Sequence, residues 1–345
     1  MNALTRILGT GTLLLGLGAA TAPAPAPAQS YHVARTTVLG GDGGWDYVAL
    51  DSVRHRLFIA RQNRVMVVDE ETGRLLGEIP GLVRAHGIAL AYDAGRGFAT
   101  SGPDSAVTMF DLSTLKVQGH ITAAVDADAV LYDPATKHVF TFNGDAHSSS
   151  VIDPSIGRRI GTIDLGGGPE FGVSGGDGKL YVNLEDQSAI VEIDAAEMQV
   201  VRRWPLAPCE RPTGLAIDRE HRRLFSGCGN KLMAISDAKA GKLITTVAIG
   251  AYVDAAAFDP GTQLAFSSNG EGTLTVVQED APDKFRVVTD VPTRRGARTM
   301  TLDPVTHRVY LVTADFGPTP AATPQQPRPR PAIIPGTFSL IMVEP

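Results

Sequence analysis

Asp46, Asp128, Asp254 and Arg298 each stand five positions before an aspartate that closes an apolar stretch: Asp51, Asp133, Asp259 and Asp303 respectively. His86, Asp126, Glu170, Arg211 and Arg295 sit close to comparable points of the chain. Carboxylates and an imidazole brought to one place are a ligand set for a divalent cation. Oxygen-rich sets suit Ca²⁺ or Mg²⁺, and a histidine admits Mn²⁺ or Zn²⁺. The expected metal set is His86, Asp128, Glu170 and Asp254, and such a cation would activate a water or polarise a carbonyl. Arg211 and Arg298 would dock an anionic group beside it. The candidate ligand-binding set is therefore Asp46, His86, Asp128, Glu170, Arg211, Asp254 and Arg298. The competing reading is that acids at a wet surface are simply solvated. No residue is assigned a catalytic role: the chain has no H-E-x-x-H or C-x-x-C-H segment, so the zincin and c-haem signatures are missing.

The elements that must carry these residues repeat. The copy WDYVALD-SVRHR-LFIA-RQN-RVMVVD-EETG-RLLGEI shows the unit: four short apolar strands with polar turns between them. The aspartate ending the first strand recurs at Asp51, Asp93, Asp133, Asp218, Asp259 and Asp303, with a degenerate copy near Ser174 to Asp177. The period of about 40 to 44 residues is that of a propeller blade. Asp-Pro, Asn-Gly and Thr-Gly pairs mark hairpin turns, and no long helical pattern follows the leader. Seven units fill roughly 45 to 345. The last lacks an outer strand, and the stretch from Tyr31 to Leu39 is a strand without a unit. The expectation is an all-β, seven-bladed β-propeller of four-stranded antiparallel blades, closed by the N-terminal strand completing the last blade. The repeat resembles the YVTN family of propellers, with Leu180-Tyr181-Val182-Asn183 nearest to the naming tetrapeptide. Exported YncE-like proteins of that family are similar to it. The resemblance implies the fold and carries over no catalytic residues, since propellers serve many roles.

Residues 1–28 read as a secretory signal peptide: Arg6, an apolar run from Ile7 to Ala20, and Ala26-Pro27-Ala28 before the cut. That run is shorter than the roughly 20 residues needed to span a bilayer. The expected address is periplasmic or secreted, with no membrane span after cleavage. The mature chain, 29–345, carries 30 basic against 37 acidic residues, a net charge of -7, because the leader holds one Arg and no acid. This disfavours nucleic acid as a partner. Cys209 and Cys228 are the only cysteines. In an oxidising compartment such a pair is expected as a disulfide, two buried free thiols being the alternative.

Strand alternation sorts the loops onto two ends. The turns between second and third strands open on the same end as the blade-to-blade links, here the upper face. Both cysteines, the mouth acids and turn residues such as Asn143, Asn183, Glu185 and Asn269 fall there, although Asn and Asp are also ordinary turn formers. Between the second and third strands of the last unit lies a Pro-rich insertion, 317–336, with seven prolines and the run Pro327-Arg328-Pro329-Arg330-Pro331. It reads either as a tolerated surface loop or as a lid over the mouth, with Arg328 and Arg330 reaching an anion. The function expected is an exported binding scaffold, a monomer, for a small-molecule or peptide ligand at the upper channel mouth. The alternative is a metal-assisted lyase or hydrolase using the same cluster. Trp45, Phe171, Tyr252 and Phe316 are the aromatic candidates for the ligand face or for the core.

Overall fold

A computed structural model describes Met1, residues 30–323, 326–327 and 329–345. The leader and Arg328 thus lie outside the described residues. Seven four-stranded antiparallel sheets follow one another round a ring. Blades 1 to 6 run in sequence order from the inner strand to the outer one, beginning with inner strand Val48–Asp51. Blade 7 is built from Met300–Asp303, Arg308–Thr313 and Ser339–Glu344, and its outer strand is His32–Val38 from the N-terminus. That strand pairs antiparallel from His32 opposite Glu344 to Val38 opposite Ser339. The closure expected from the orphan strand is therefore the one the chain adopts.

The pattern of each strand follows its place in the blade. Second strands such as Arg56–Arg61 are buried along their whole length, because both faces meet neighbouring blades. Outer strands such as Gln199–Pro205 alternate, because one face meets water. The core is divided into seven apolar clusters, one at each joint between adjacent blades. Blade 7 meets blade 1 through Tyr310, Val312 and Phe338 against Val48, Leu57 and Ile59. Near the axis the backbones themselves touch. A Cβ on Gly214 of blade 5 would lie 2.5 Å from Ala255 Cα and Ala256 N of blade 6, so glycine is required there by close approach.

The recurrent aspartate is structural. Asp51, Asp133, Asp218 and Asp259 are almost wholly buried. Each caps the turn that follows it: Asp133 Oδ2 accepts from Thr136 N at 3.0 Å and Asp259 Oδ1 from Gly261 N at 2.9 Å. At Asp133 and Asp259 the next blade then donates to the same carboxylate, Ser174 Oγ to Asp133 at 2.6 Å and His307 Nδ1 to Asp259 at 2.7 Å. One residue thus closes its own hairpin and ties two blades together, which is why a polar residue recurs inside an apolar repeat. One assignment of this aspartate is corrected. In blade 2 the closing position is Ala91, opposite Arg96, and Asp93 falls in the short 3₁₀ turn Tyr92–Ala94. In blade 4 the closing position is Gly175, whose N–H donates to Lys179 O, inside the degenerate copy Ser174 to Asp177.

Cys209 and Cys228 form a disulfide with Cα atoms 5.5 Å apart. It joins the link after the outer strand of blade 4 to the second strand of blade 5. Among the described residues no helix is long and apolar enough to cross a membrane.

Candidate functional site: a charged belt at the channel mouth

Pairing registers fix which residues are equivalent. The residue two positions after the mouth position pairs with the second strand in every blade: Val48 with Ile59, Ile88 with Ala99, Val130 with Thr141, Gly172 with Val182, Leu215 with Ser226, Ala256 with Ser267 and Met300 with Leu311. Stepping back gives a belt of seven residues: Asp46, His86, Asp128, Glu170, Thr213, Asp254 and Arg298. Each lies five positions before its closing residue, in blades 2 and 4 as in the others. The two blades without a closing aspartate therefore hid the equivalence of His86 and Glu170.

Neighbouring belt residues meet. His86 Nδ1 is 2.6 Å from Asp46 Oδ2 and 3.0 Å from Asp128 Oδ1. Arg298 lies 2.6 Å from Asp254 and 3.9 Å from Asp46. Asp254, Arg298, Asp46, His86 and Asp128 thus form a run of alternating charge across five successive blades. One nitrogen carries one hydrogen, and it is aligned with Asp46. Asp128 Oδ1 is buried without a hydrogen-bond donor despite its short distance to the ring, and His86 Nε2 is likewise without a partner.

Burial and crowding of like charges set the electrostatics. Burial opposes the His86 imidazolium, but the carboxylates of Asp128 and Asp46 outweigh it and lift its pKa to about 10. Burial raises Asp254 to about 7 even though Arg298 pulls the other way. Burial also raises Asp128, against the pull of His86. Glu170 has no cation beside it in the belt. Burial, then the charges of Asp128 and Asp254, push its carboxyl well above the usual range. Glu170 therefore holds its proton where an ordinary glutamate has lost it.

The belt has a floor. Tyr47, the residue after Asp46, crosses the channel to pack with Ala129, Phe140 and Phe142 of blade 3, and its ring lies 5.4 Å from that of Phe171 in blade 4. A cavity of about 70 Å³ lined by Tyr47, Ile88, Val130, Phe171, Ala256 and Met300 lies there. The mouth is thus a polar cup over an apolar base, and this base excludes the water that would otherwise keep the acids at ordinary pKa values.

Buried side chains of the preceding blade hold the belt backbone in place. Thr299 Oγ1 donates to Asp46 O at 2.9 Å and Asn183 Nδ2 to Thr213 O at 2.8 Å. Thr100 donates to Asp128 O and Ser268 to Arg298 O. Asn183 is wholly buried, as are Asn143 and Asn269. Asn183 is a positioning residue for the belt, whereas Asn143 bonds to Ser148 and Ser150 and Asn269 to Thr273 and Thr275 of their own blades.

Of the seven expected ligand-binding residues, Asp46, His86, Asp128, Glu170, Asp254 and Arg298 occupy the belt. Arg211 does not. It is exposed and bonds to Glu185, with Nε 2.9 Å from Oε1. The belt member of blade 5 is Thr213, which the five-residue offset from Asp218 would have found. Its hydroxyl donates to Val253 O at 3.0 Å. Of the expected metal set, His86 and Asp128 come together, joined by Asp46. The donor atoms of these three lie within 4.8 Å of one another. Glu170 and Asp254 are not part of that trio. Tyr252 stands exposed beside the belt, whereas Trp45 and Phe316 pack against each other at the base of the insertion. Phe316 pairs with Ile333 across that base.

No protein-family model matches the chain, and no curated protein does. Solved structures do. A chain of Kuenenia stuttgartiensis Hydrazine Synthase is 17% identical with a TM-score of 0.67, over 80% of this chain and 93% of that one. A chain of a Mitotic Checkpoint Complex is 14% identical with a TM-score of 0.71, over 98% and 99%. The RRP9 WD40 repeats are 11% identical with a TM-score of 0.72, over 92% and 99%. At such identities the likeness is one of fold alone: the chain is a seven-bladed, WD40-like β-propeller.

Proposed function

We propose that this protein is an exported binding scaffold of the YVTN-repeat (YncE-like) type, holding a small polar or peptide-like ligand in the cup at the upper mouth. The observation that carries this is the alternating run Asp254, Arg298, Asp46, His86 and Asp128 above a closed apolar floor. Such a belt offers donors and acceptors side fixed by the blades, so little ordering cost falls on binding. A ligand bearing both kinds of group, such as a peptide end or a zwitterion, matches it, and Tyr252 adds an exposed apolar rim. The acidic net charge and the carboxylates of the mouth argue against nucleic acid. The propeller fold commonly serves as an interaction scaffold, and the Cys209–Cys228 disulfide is consistent with an oxidising compartment. Export through the 1–28 leader and a monomeric state belong to the same proposal.

The test is a thermal-shift screen of short peptides, amino acids and small organic acids on the full chain and on Asp254→Asn and Arg298→Gln variants. A ligand that stabilises the wild type and loses its effect in both variants supports the reading. A ligand that acts equally on all three would place binding elsewhere.

The trio Asp46, His86 and Asp128 supports a second reading, a metal-assisted lyase or hydrolase. Two carboxylates and an imidazole can hold a divalent cation of the Ca²⁺, Mg²⁺, Mn²⁺ or Zn²⁺ group once the shared proton leaves. Metal uptake lost in an Asp46→Asn/Asp128→Asn double variant would favour it.

A further inference from the structure

The lower face carries a second cluster, at the joint between blades 5 and 6. Asp218 ends the inner strand of blade 5, His221 follows in its turn, and Glu279 lies in the third strand of blade 6, Thr273–Ala281. His221 Nδ1 is 2.7 Å from Asp218 Oδ2 and 3.1 Å from Glu279 Oε1. The donor atoms of all three lie within 4.8 Å of one another.

Two observations set this cluster apart from an ordinary surface ion pair. Glu279 is 4% exposed, and neither of its carboxylate oxygens has a hydrogen-bond donor. A buried carboxylate left in that state is costly. The nearby Arg223 does not serve it: its guanidinium bonds to Pro282 O and Asp283, and faces Asp237. His221 Nδ1 also has no aligned partner, although two oxygens stand within 3.1 Å. Neither oxygen is aligned to accept the hydrogen of the ring nitrogen. At His86 the corresponding hydrogen is aligned with Asp46.

Comparison with the other joints sharpens the point. Where the next blade reaches a closing aspartate elsewhere, it brings a donor, Ser174 to Asp133 and His307 to Asp259. At Asp218 it brings a second acid. Two carboxylates and a neutral imidazole sum to two negative charges, which a divalent cation would neutralise. One nitrogen and carboxylate oxygens are ligands that Zn²⁺ and Mn²⁺ accept.

We propose that Asp218, His221 and Glu279 form a divalent-cation site, selective for the Zn²⁺ and Mn²⁺ class, which staples blade 5 to blade 6 on the face opposite the disulfide. His221 is the partly exposed member, with 30% of its side chain accessible, and supplies the way in. The role is structural: the ion would replace the interblade hydrogen bond that Asp133 and Asp259 receive at their joints.

The experiment uses the full chain stripped with chelator and titrated with ZnCl₂ and with MnCl₂ by calorimetry, with melting temperature followed in parallel. The wild type is expected to take up one equivalent at this site and to melt higher when loaded. Glu279→Gln, nearly isosteric, is expected to bind at least tenfold more weakly and to show no metal-dependent rise in melting. His221→Gln serves as the second variant should the first fail to fold. The Asp46→Asn/Asp128→Asn double variant is expected to retain the uptake, which separates this site from the channel mouth. No uptake by the wild type, or uptake equal in Glu279→Gln, would overturn the proposal. So would uptake abolished only by the channel-mouth variant.

Discussion

At the scale of single residues, the belt behaves as one titrating unit whose members were placed by geometry and tuned by burial. Glu170 and Asp254 are raised, so ionising them costs folding free energy. Their contribution is favourable below the unfolded carboxylate pKa and is lost as pH rises through the folded value, from 3.8 to about 7 for Asp254. His86 is raised from 6.5 to about 10, so its ion pairs stabilise fully below about 6.5 and fade as pH climbs toward 10. All three effects have the same sign. The protein should be most stable on the acid side of neutrality, and its melting temperature should fall between pH 6 and 10. Glu170→Gln should raise stability at pH 8 by about 1–3 kcal/mol, since it removes the charge but keeps the shape. A melting temperature at pH 8 equal to that of the wild type would show that Glu170 is ionised without penalty. His86→Gln should flatten the decline above pH 8, which melting curves from pH 6 to 10 will show.

At the scale of elements, the inner strands decide how closely the belt residues approach. Gly214 lets the inner strands of blades 5 and 6 touch backbone to backbone. Gly214→Ala should therefore cost about 1–3 kcal/mol, the usual price of forcing extra volume into a packed core. Chemical denaturation measures this, and a cost below 0.5 kcal/mol would mean that the blades can separate freely there. The cysteines add a covalent tie one joint away. At a sequence separation of 19, a disulfide is worth roughly 3 kcal/mol by loop-closure entropy. The insertion is anchored by Phe316 against Trp45 and by Arg295, whose guanidinium lies 5.7 Å from the Phe316 ring centre. Its base is thus part of the blade 7 core, whatever its tip contacts.

At the scale of the molecule, closure makes the belt continuous. Blade 7 joins the two ends of the chain, and Arg298 of that blade bridges Asp254 of blade 6 and Asp46 of blade 1. A chain lacking residues 30–38 would leave Ser339–Glu344 as an open edge. Such a chain should lose cooperative unfolding and self-associate, as sedimentation and calorimetry would reveal. A monomer with an unchanged melting transition would show that closure by the N-terminal strand is dispensable.

The sequence by itself determined the blades. Short alternating strands at a fixed period, turn residues between them, a spare strand at the N-terminus and a last unit one strand short admit a closed ring and little else. It also contained most of the belt, because a constant offset from a recurring aspartate is a register statement. It lost the equivalence where Ala91 and Gly175 replace that aspartate, and it preferred the charge of Arg211 to the modest Thr213. Only the tertiary structure decided which acids share a histidine, because Asp46 and Asp128 come from blades on either side of His86. It alone showed that Asn143, Asn183 and Asn269 are buried, since an asparagine in a turn has the same local signature whether it meets water, its own blade or the next one. The lower cluster was invisible for the same reason. Asp218 and Glu279 are 61 residues apart in the chain, and their meeting depends on how two blades pack.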